Sequence, residues 1–590
     1  MNLPRKKTEK RKGSILALAV ILTVILTLAG FAMLKAAEGR LGQAVRTKNQ
    51  EAAASAAEAA YEKAVFWMSQ QVDLLTSLQS SSPTGTLNFT QSSADYSVTL
   101  ASFFGSRPIY KVSANGRCGI YQKTLDAYVV QAMAGWEMGQ CRIPSSPTST
   151  TEVSFISGEI IDMPLHINAL NDHPDKRDIY TSGSPDFRDH VSMGESRYST
   201  PSGSDKYKSP IIDMFDEGIS FGQPASRIYD KDTVSAKVEQ FRTTTNSTYC
   251  FTPTKTSLKK SSSGKTGFFS DTVSDLPAVQ LKFYVNDSGV GYVRIYNNCT
   301  VAGYKRGGNN STTWDYKIDP DGSGDTFIKY PIYGCHYTSG TYTDVRIDNE
   351  SDPIYVRQSY NGVQSDPGAQ IYVDGNVVIG CGSEDASSLD TINTVKGRIA
   401  VVATGNIWIA NELKVAGTRD ADEMPTEDNT NVIGLITEGV VKVVDAGMTS
   451  NDLLYDNSST QFDPTSIANY SPIGIREGTQ TYDRQTPYQM VVEASMTVGG
   501  GGWGAENVSR DNHYEDRETY YNNRNDKLIV RGSITEAFRG VVGSGNNGYL
   551  KQYFYDRRLM TGIIPGNIGL KGKYLLVPGG WEESASIKSQ

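Results

Sequence analysis

Apolar and polar positions divide the chain near residue 80. Ser14 to Leu34 reads SILALAVILTVILTLAGFAML, 21 residues without a charge, and about 20 apolar residues carry a helix across a bilayer. The segment that follows keeps helical character. It is dense in Ala and free of Pro, with Gly39 and Gly42 as its only helix-weakening residues. Leu41, Val45, Ala52, Ala56, Ala60, Ala64, Met68, Val72 and Leu75 recur at steps of three or four or their sums. The pattern predicts one helix from Ser14 to about residue 78, with its first half in lipid and its second half packed on a head or on partners.

Beyond residue 80 the period shortens. Residues 97–133 read as three or four alternating strands with Gly turns, a small sheet able to cover the Ala-rich strip of the helix. Further on, Gly375-Asn376-Val377-Val378-Ile379 returns as Gly405-Asn406-Ile407-Trp408-Ile409, and more loosely as Gly439-Val440-Val441-Lys442-Val443, at spacings of 30 and 34 residues. Short β-branched strands lie between the copies. Strands that return at a fixed longer period predict stacked coils, a β-solenoid; a β-sandwich is the competing reading. Residues 200–365 fit the coils poorly and read as an inserted β-rich subdomain or as long excursions from one coil face.

Charge sharpens the reading of the N-terminus. Residues 1–13 hold Arg5, Lys6, Lys7, Lys10, Arg11 and Lys12 against Glu9, a leader of +5 in a chain of net charge −8. A basic flank stays cytoplasmic, so the rest of the chain is expected to cross. The apolar run exceeds the usual signal-peptide core, although a plain signal anchor gives the same pattern. An acidic remainder argues against nucleic acid as a partner. The six cysteines form no CxxC pair, which disfavours a zinc cluster. In an exported protein they permit disulfides; Cys118 and Cys141, flanking one strand-rich stretch, are the candidate pair, and free buried thiols are the alternative.

Candidate chemistry is sparse. Asp319, Asp321, Ser323 and Asp325 space oxygen donors two apart around a Gly-rich turn and could wrap a calcium ion. The twelfth loop position holds Tyr330 where Glu is usual, and a solvated hairpin turn explains the segment as well. Gly264-Lys265-Thr266 ends like a phosphate-binding loop, but Lys259 stands where the leading Gly belongs. Gly499, Gly501 and Gly504 match GxGxxG without a helical stripe after them. His166, His173 and His190 lie near Asp172, Asp175 and Asp189 without tight ligand spacing, and His336 and His513 stand apart. Tyr514, Tyr520, Tyr521, Tyr549, Tyr553 and Tyr555 are candidate contact residues, with coverage of coil edges as the alternative. No nucleophile elbow or Cys–His pairing is present, so no catalytic residue is assigned and the chain is not read as an enzyme. A β-helix carbohydrate-active enzyme stays open as a third possibility.

Two resemblances add to this. Lys12-Gly13-Ser14 followed by the apolar run resembles the class III-type leader junction of type IV pilins and type II secretion pseudopilins. The small-residue stretch Ala52 to Ala64 is similar to that of PilX-type minor pilins. The resemblance implies cleavage by prepilin peptidase after Gly13, Ser14 as the mature N-terminus, and pilin-like subunits, the pilus assembly machinery and the membrane as partners. Most pilins carry Glu at mature position five, where this chain has Leu18. A subunit without that carboxylate cannot pair with the terminal amine of a predecessor, which fits a filament tip, an initiator, or an anchor that never polymerises. The second resemblance runs through GEIIDMPLHINALNDHPDKRDIYTSGSPDFRDHV, IYVDGNVVIGCG, GRIAVVATGNIWIANEL, NVIGLITEGVVKVV, KLIVRGSITEAFRGVVG and YLKQYFYDRRL. In that order they are similar to an uncharacterised bacterial family that joins a PilX-like N-terminus to a right-handed β-helix. It implies an architecture and no activity.

The expectation is an α+β, mostly β chain on a single-pass helix in a bacterial inner membrane, its head periplasmic or displayed on a filament. Its parts are a basic leader (1–13), a helix (14–80, with 14–34 transmembrane), a pilin-like sheet (81–150), a β-solenoid head (151–580, with the insertion at about 200–365) and a C-terminal tail (581–590).

Overall fold

The computed structural model describes most of the chain; residues 1–12, 141–152, 169–178, 195–213, 224–230, 254–271, 306–315, 319–326, 381–392, 444–469, 506–526, 562–573, 588–590 and several shorter stretches lie outside the description. The protein is mostly β, with one long N-terminal apolar helix and large sheets.

The helix spans Gly13–Gln70, 58 residues, roughly 87 Å at 1.5 Å per residue. A second, short helix follows at Leu74–Ser80, so the single helix expected to residue 78 ends about two turns early. Behind it lies a five-stranded antiparallel sheet in the order Thr84–Asn88, Ser93–Phe104, Arg107–Cys118, Tyr121–Gln131 and Tyr574–Ile587. Ala56, Ala57, Ala60, Ala64 and Met68 pack on Val98, Tyr110, Val112, Ala114, Leu125, Ala127 and Val129. Small side chains let the helix approach the sheet closely. The buried strip begins at Ala53. Leu41 and Val45, which share its spacing, are exposed because the sheet does not reach them. The fifth strand corrects the reading of 581–590 as a tail: Glu582, Glu583 and Ser584 pair with Asp126, Leu125 and Thr124.

The head is built on parallel pairing. One ladder runs, neighbour to neighbour, through Cys250–Phe251, Gly368–Val373, Arg398–Ala403, Val432–Thr437, Ser495–Val498, the second half of Lys527–Phe538, Trp136–Gln140, Leu165–Ile167, Val191–Met193 and Ile219–Ser220. A second runs through Asn393–Val395, Leu413–Val415, Gln489–Val492, the first half of Lys527–Phe538, Leu550–Tyr555, Ile160–Asp162 and Asp186–Phe187. A third pairs part of Thr272–Val285 with Asn376–Ile379, Ile407–Ile409, Val441–Val443 and Trp503–Ala505. Inward-facing residues of all three form one continuous apolar core. Tyr553, Trp136, Phe155, Phe187 and Phe215 follow one another through it at centroid distances of 4.9, 5.9, 4.9 and 4.8 Å.

The repeat seen in the sequence is in register: Val377, Ile407 and Val441 are neighbours in the third ladder. Its Gly-Asn pair has a physical cause. Asn376 Oδ1 accepts from Asn406 N at 2.9 Å, and Asn406 Oδ1 accepts from Val440 N at 3.1 Å. A Cβ on Gly405 or Gly439 would lie 2.5 Å from the asparagine oxygen before it. Each turn thus satisfies the backbone of the next, and only glycine leaves room.

Two segments differ from the sequence reading. Trp136–Gln140, placed with the small sheet, belongs to the head. Within 200–365, Ile219–Ser220, Cys250–Phe251 and part of Thr272–Val285 lie in the ladders. The helix Lys231–Thr244 packs Val234, Val238 and Phe241 on Tyr372, Ala400, Val402 and Ile436.

Candidate functional site

The first half of the long helix exposes a continuous run of large apolar side chains. Ile15 is 74% exposed, Leu18 68%, Phe31 62% and Leu34 65%. This stretch is long and apolar enough to cross a membrane, and none of its most apolar window is buried by the protein. Its two threonine hydroxyls are satisfied within the helix: Thr23 Oγ1 donates to Ala19 O at 2.8 Å and Thr27 Oγ1 to Thr23 O at 2.7 Å. Neither is left as an unpaired donor in an apolar surrounding. Charge resumes at Lys35, which pairs with Glu38 at 2.7 Å. Gly13 and Ser14, the expected processing junction, form the first turn. Leu18, one turn on, offers no carboxylate.

The second half of the helix is the stalk that holds the head. Its grip depends on Gly116, where a Cβ would lie 1.9 Å from Ala53 O and 2.6 Å from Ala57 N. At the sheet edge, Tyr61 meets Trp581 edge-on at 5.3 Å. The outer strand Tyr574–Ile587 is long and exposed, but a register shift between Ala127 and Val129 breaks its pairing, and Glu582 and Glu583 charge its rim. A bulge and like charges keep an edge from adding further strands.

The remaining candidates resolve as follows. Cys118 is a buried free thiol that donates to Gln91 O at 3.2 Å; Cys141, its expected disulfide partner, lies outside the described residues. Cys250 is also free, and burial pushes its thiol pKa up. Asp319, Asp321, Ser323 and Asp325 lie outside the described residues, as do His173, His513, Tyr514, Tyr520, Tyr521 and Gly264-Lys265-Thr266. Among the described residues no group of three His, Cys, Asp or Glu side chains could hold a metal. Tyr549, Tyr553 and Tyr555 are buried in the core and offer no contact surface. Gly499 and Gly504 flank a connection between two strands, which is not a strand-to-helix turn. His166 is buried with both nitrogens engaged, Nδ1 by Ser192 Oγ at 2.6 Å and Nε2 by Asn168 Oδ1 at 3.0 Å. An amide oxygen only accepts, so Nε2 donates to Asn168.

The structure also assembles charged groups that no sequence pattern marks. Glu493 is buried, receives Arg419 at 2.6 Å and Arg531 at 3.0 Å, and accepts from Val415 N at 2.8 Å. Lys551 Nζ lies 3.0 Å from both oxygens of buried Glu159 and 4.7 Å from the Phe155 ring centroid. These ion pairs tie separate segments of the head together, Arg419 from outside the ladder strands and Arg531 from within one.

No protein-family profile matches the chain, and neither does any curated protein. Among solved structures, the chain is matched by the crystal structure of the competence-associated pilin ComZ from Thermus thermophilus, at 11% sequence identity and a TM-score of 0.22, over 91% of this chain and 98% of that one.

Proposed function

We propose that this protein is a pilin-like subunit. Its N-terminal helix anchors it in a bacterial inner membrane and enters a type IV or related secretion filament. The observation that carries this reading is the division of one helix into a bare apolar half and a half laid by small residues into an antiparallel sheet. A bare apolar rod needs lipid or neighbouring rods to cover it. The head, read as a right-handed β-helix whose three faces are the three ladders, then lies outside the cytoplasm. A head of this size could not repeat on every subunit of a packed filament, so the subunit is a minor one, of PilX type, acting in initiation, tip assembly or surface contact. Leu18 supports a place without a predecessor. We assign no catalysis to the head, and calcium at Asp319, Asp321, Ser323 and Asp325 is a further part of the proposal.

Mass spectrometry of the mature N-terminus tests this directly. Processing by prepilin peptidase gives a chain beginning at N-methylated Ser14. A chain that retains Met1, or one cut beyond Leu34, removes the pilin reading and leaves a signal anchor or a secreted head.

A further inference from the structure

The chain leaves the stalk sheet for the head after Gln131 and is back in the sheet at Tyr574. The strand Tyr121–Gln131 leads in towards Trp136. The turn Arg557–Thr561 leads out towards Tyr574. Gln131 and Tyr574 are themselves paired in the sheet. Arg107, the first residue of the neighbouring strand, is buried at this end, 5% exposed. Its guanidinium donates to Met560 O at 2.5 Å and, through its other terminal nitrogen, to Gln131 O. Its Nε has no partner. Burial lowers the guanidinium pKa, with Tyr555 acting in the opposite sense.

Both acceptors are main-chain carbonyls, one on each crossing. A cation taken out of water and met only by carbonyls gains little net stability, because desolvation offsets the attraction. What the contacts fix is geometry: a planar fork with donors in set directions holds two carbonyls at a set separation. We propose that Arg107 is a latch that sets the head on the stalk, tying the strand that enters the head to the turn that leaves it so that the two bodies move as one. The proposal stands whether or not the chain joins a filament.

The test compares the full chain with its Arg107→Met and Arg107→Lys variants in detergent, by hydrogen exchange and small-angle scattering. Met keeps the packing volume without donors; Lys keeps the charge but reaches one carbonyl at a time. Both variants are expected to exchange roughly tenfold faster in peptides covering Tyr128–Gln131 and Tyr574–Leu576 and to show a broader distribution of overall dimensions. Exchange in Arg398–Ala403 stays at the parent rate. Unchanged exchange at the two crossings overturns the latch. So does an acceleration spread evenly over sheet and ladders, which is the mark of an ordinary stabilising residue, and so does full rescue by Lys.

Discussion

Gly116 has no room for a side chain, because the helix backbone at Ala53 and Ala57 occupies the place of its Cβ. Gly116→Val must therefore push the helix off the sheet. Overpacking of this kind costs about 1–3 kcal/mol, and a fall in melting temperature with accelerated exchange in Ala56–Met68 is the expected reading; an unchanged melting temperature would refute the close approach. Asn406 acts by the opposite route, through a bond made. Replacing it with Ala leaves Val440 N buried without its acceptor, at about 1–3 kcal/mol, and chemical denaturation should register that loss. Asp126 gives the sheet a pH dependence. Burial raises its pKa, but hydrogen bonds from Lys111 and Ser113, at 2.8 and 2.6 Å, outweigh this and hold it below the ordinary carboxylate value. A depressed carboxylate stabilises the fold above its unfolded pKa and loses that contribution as pH falls through the folded one. Stability of the sheet should therefore drop in acid, and Asp126→Asn should flatten the acid limb of a melting-temperature profile. An identical limb in the variant would assign the loss to other groups.

At the scale of elements, legibility followed whether a signal was local. The Gly-Asn repeat could be read because each turn both needs a glycine and supplies an acceptor, so one dipeptide records one contact with the next strand. The apolar span could be read because bilayer thickness sets its length. The helix strip does not say what covers it: Leu41 and Val45 keep the period of the buried residues, but the sheet ends before them and leaves them exposed. The fifth strand was missed because its partner Tyr121–Gln131 lies at the other end of the sequence, and its Pro578-Gly579-Gly580 bulge interrupts the alternation. Tyr553 and Tyr555 lie in the core, which neither a contact surface nor a coil edge anticipates, because nothing local says which face of a strand turns inward. Glu493 shows the same limit with more at stake. Its two arginines come from distant segments, and Glu493→Gln would leave both guanidiniums short of a counter-charge in the interior. Breaking such a group costs about 3–5 kcal/mol; a denaturation midpoint within error of the parent would show that solvent reaches the cluster.

The order of strands in the first ladder governs the whole molecule. From Trp136 the chain steps along the stack to Ile219 in one direction. It then reappears at the opposite end, at Cys250 and Gly368, and steps on in the same direction until Ile534 pairs with Trp136. The head therefore begins and ends in the middle of its own stack, and from there both ends enter the stalk sheet as neighbouring strands. The two runs are joined at a seam rather than by chain continuity. Trp136 donates to Glu536 Oε1 at 2.8 Å, while Glu536 Oε2 accepts from Trp503 N at 2.8 Å and Gly540 N at 3.1 Å. Gln552 Nε2 donates to Gly158 O at 2.7 Å, and Lys551 meets Glu159. Trp136→Ala removes both the aromatic plug and one donor to a buried carboxylate, a loss of about 3–5 kcal/mol by large-to-small truncation alone. The loss should fall on one side of the seam more than the other. The run through Leu165–Ile167 and Val191–Met193 has few strands and an aromatic core that starts at Trp136, whereas the run through Arg398–Ala403 and Val432–Thr437 keeps its own neighbours. Thermal unfolding of the variant followed by hydrogen exchange should therefore split into two steps, the Leu165–Met193 segment opening first. A single step, lowered but still shared by both runs, would mean that the stack behaves as one cooperative body and that the seam is no weaker than any other pair of strands within it.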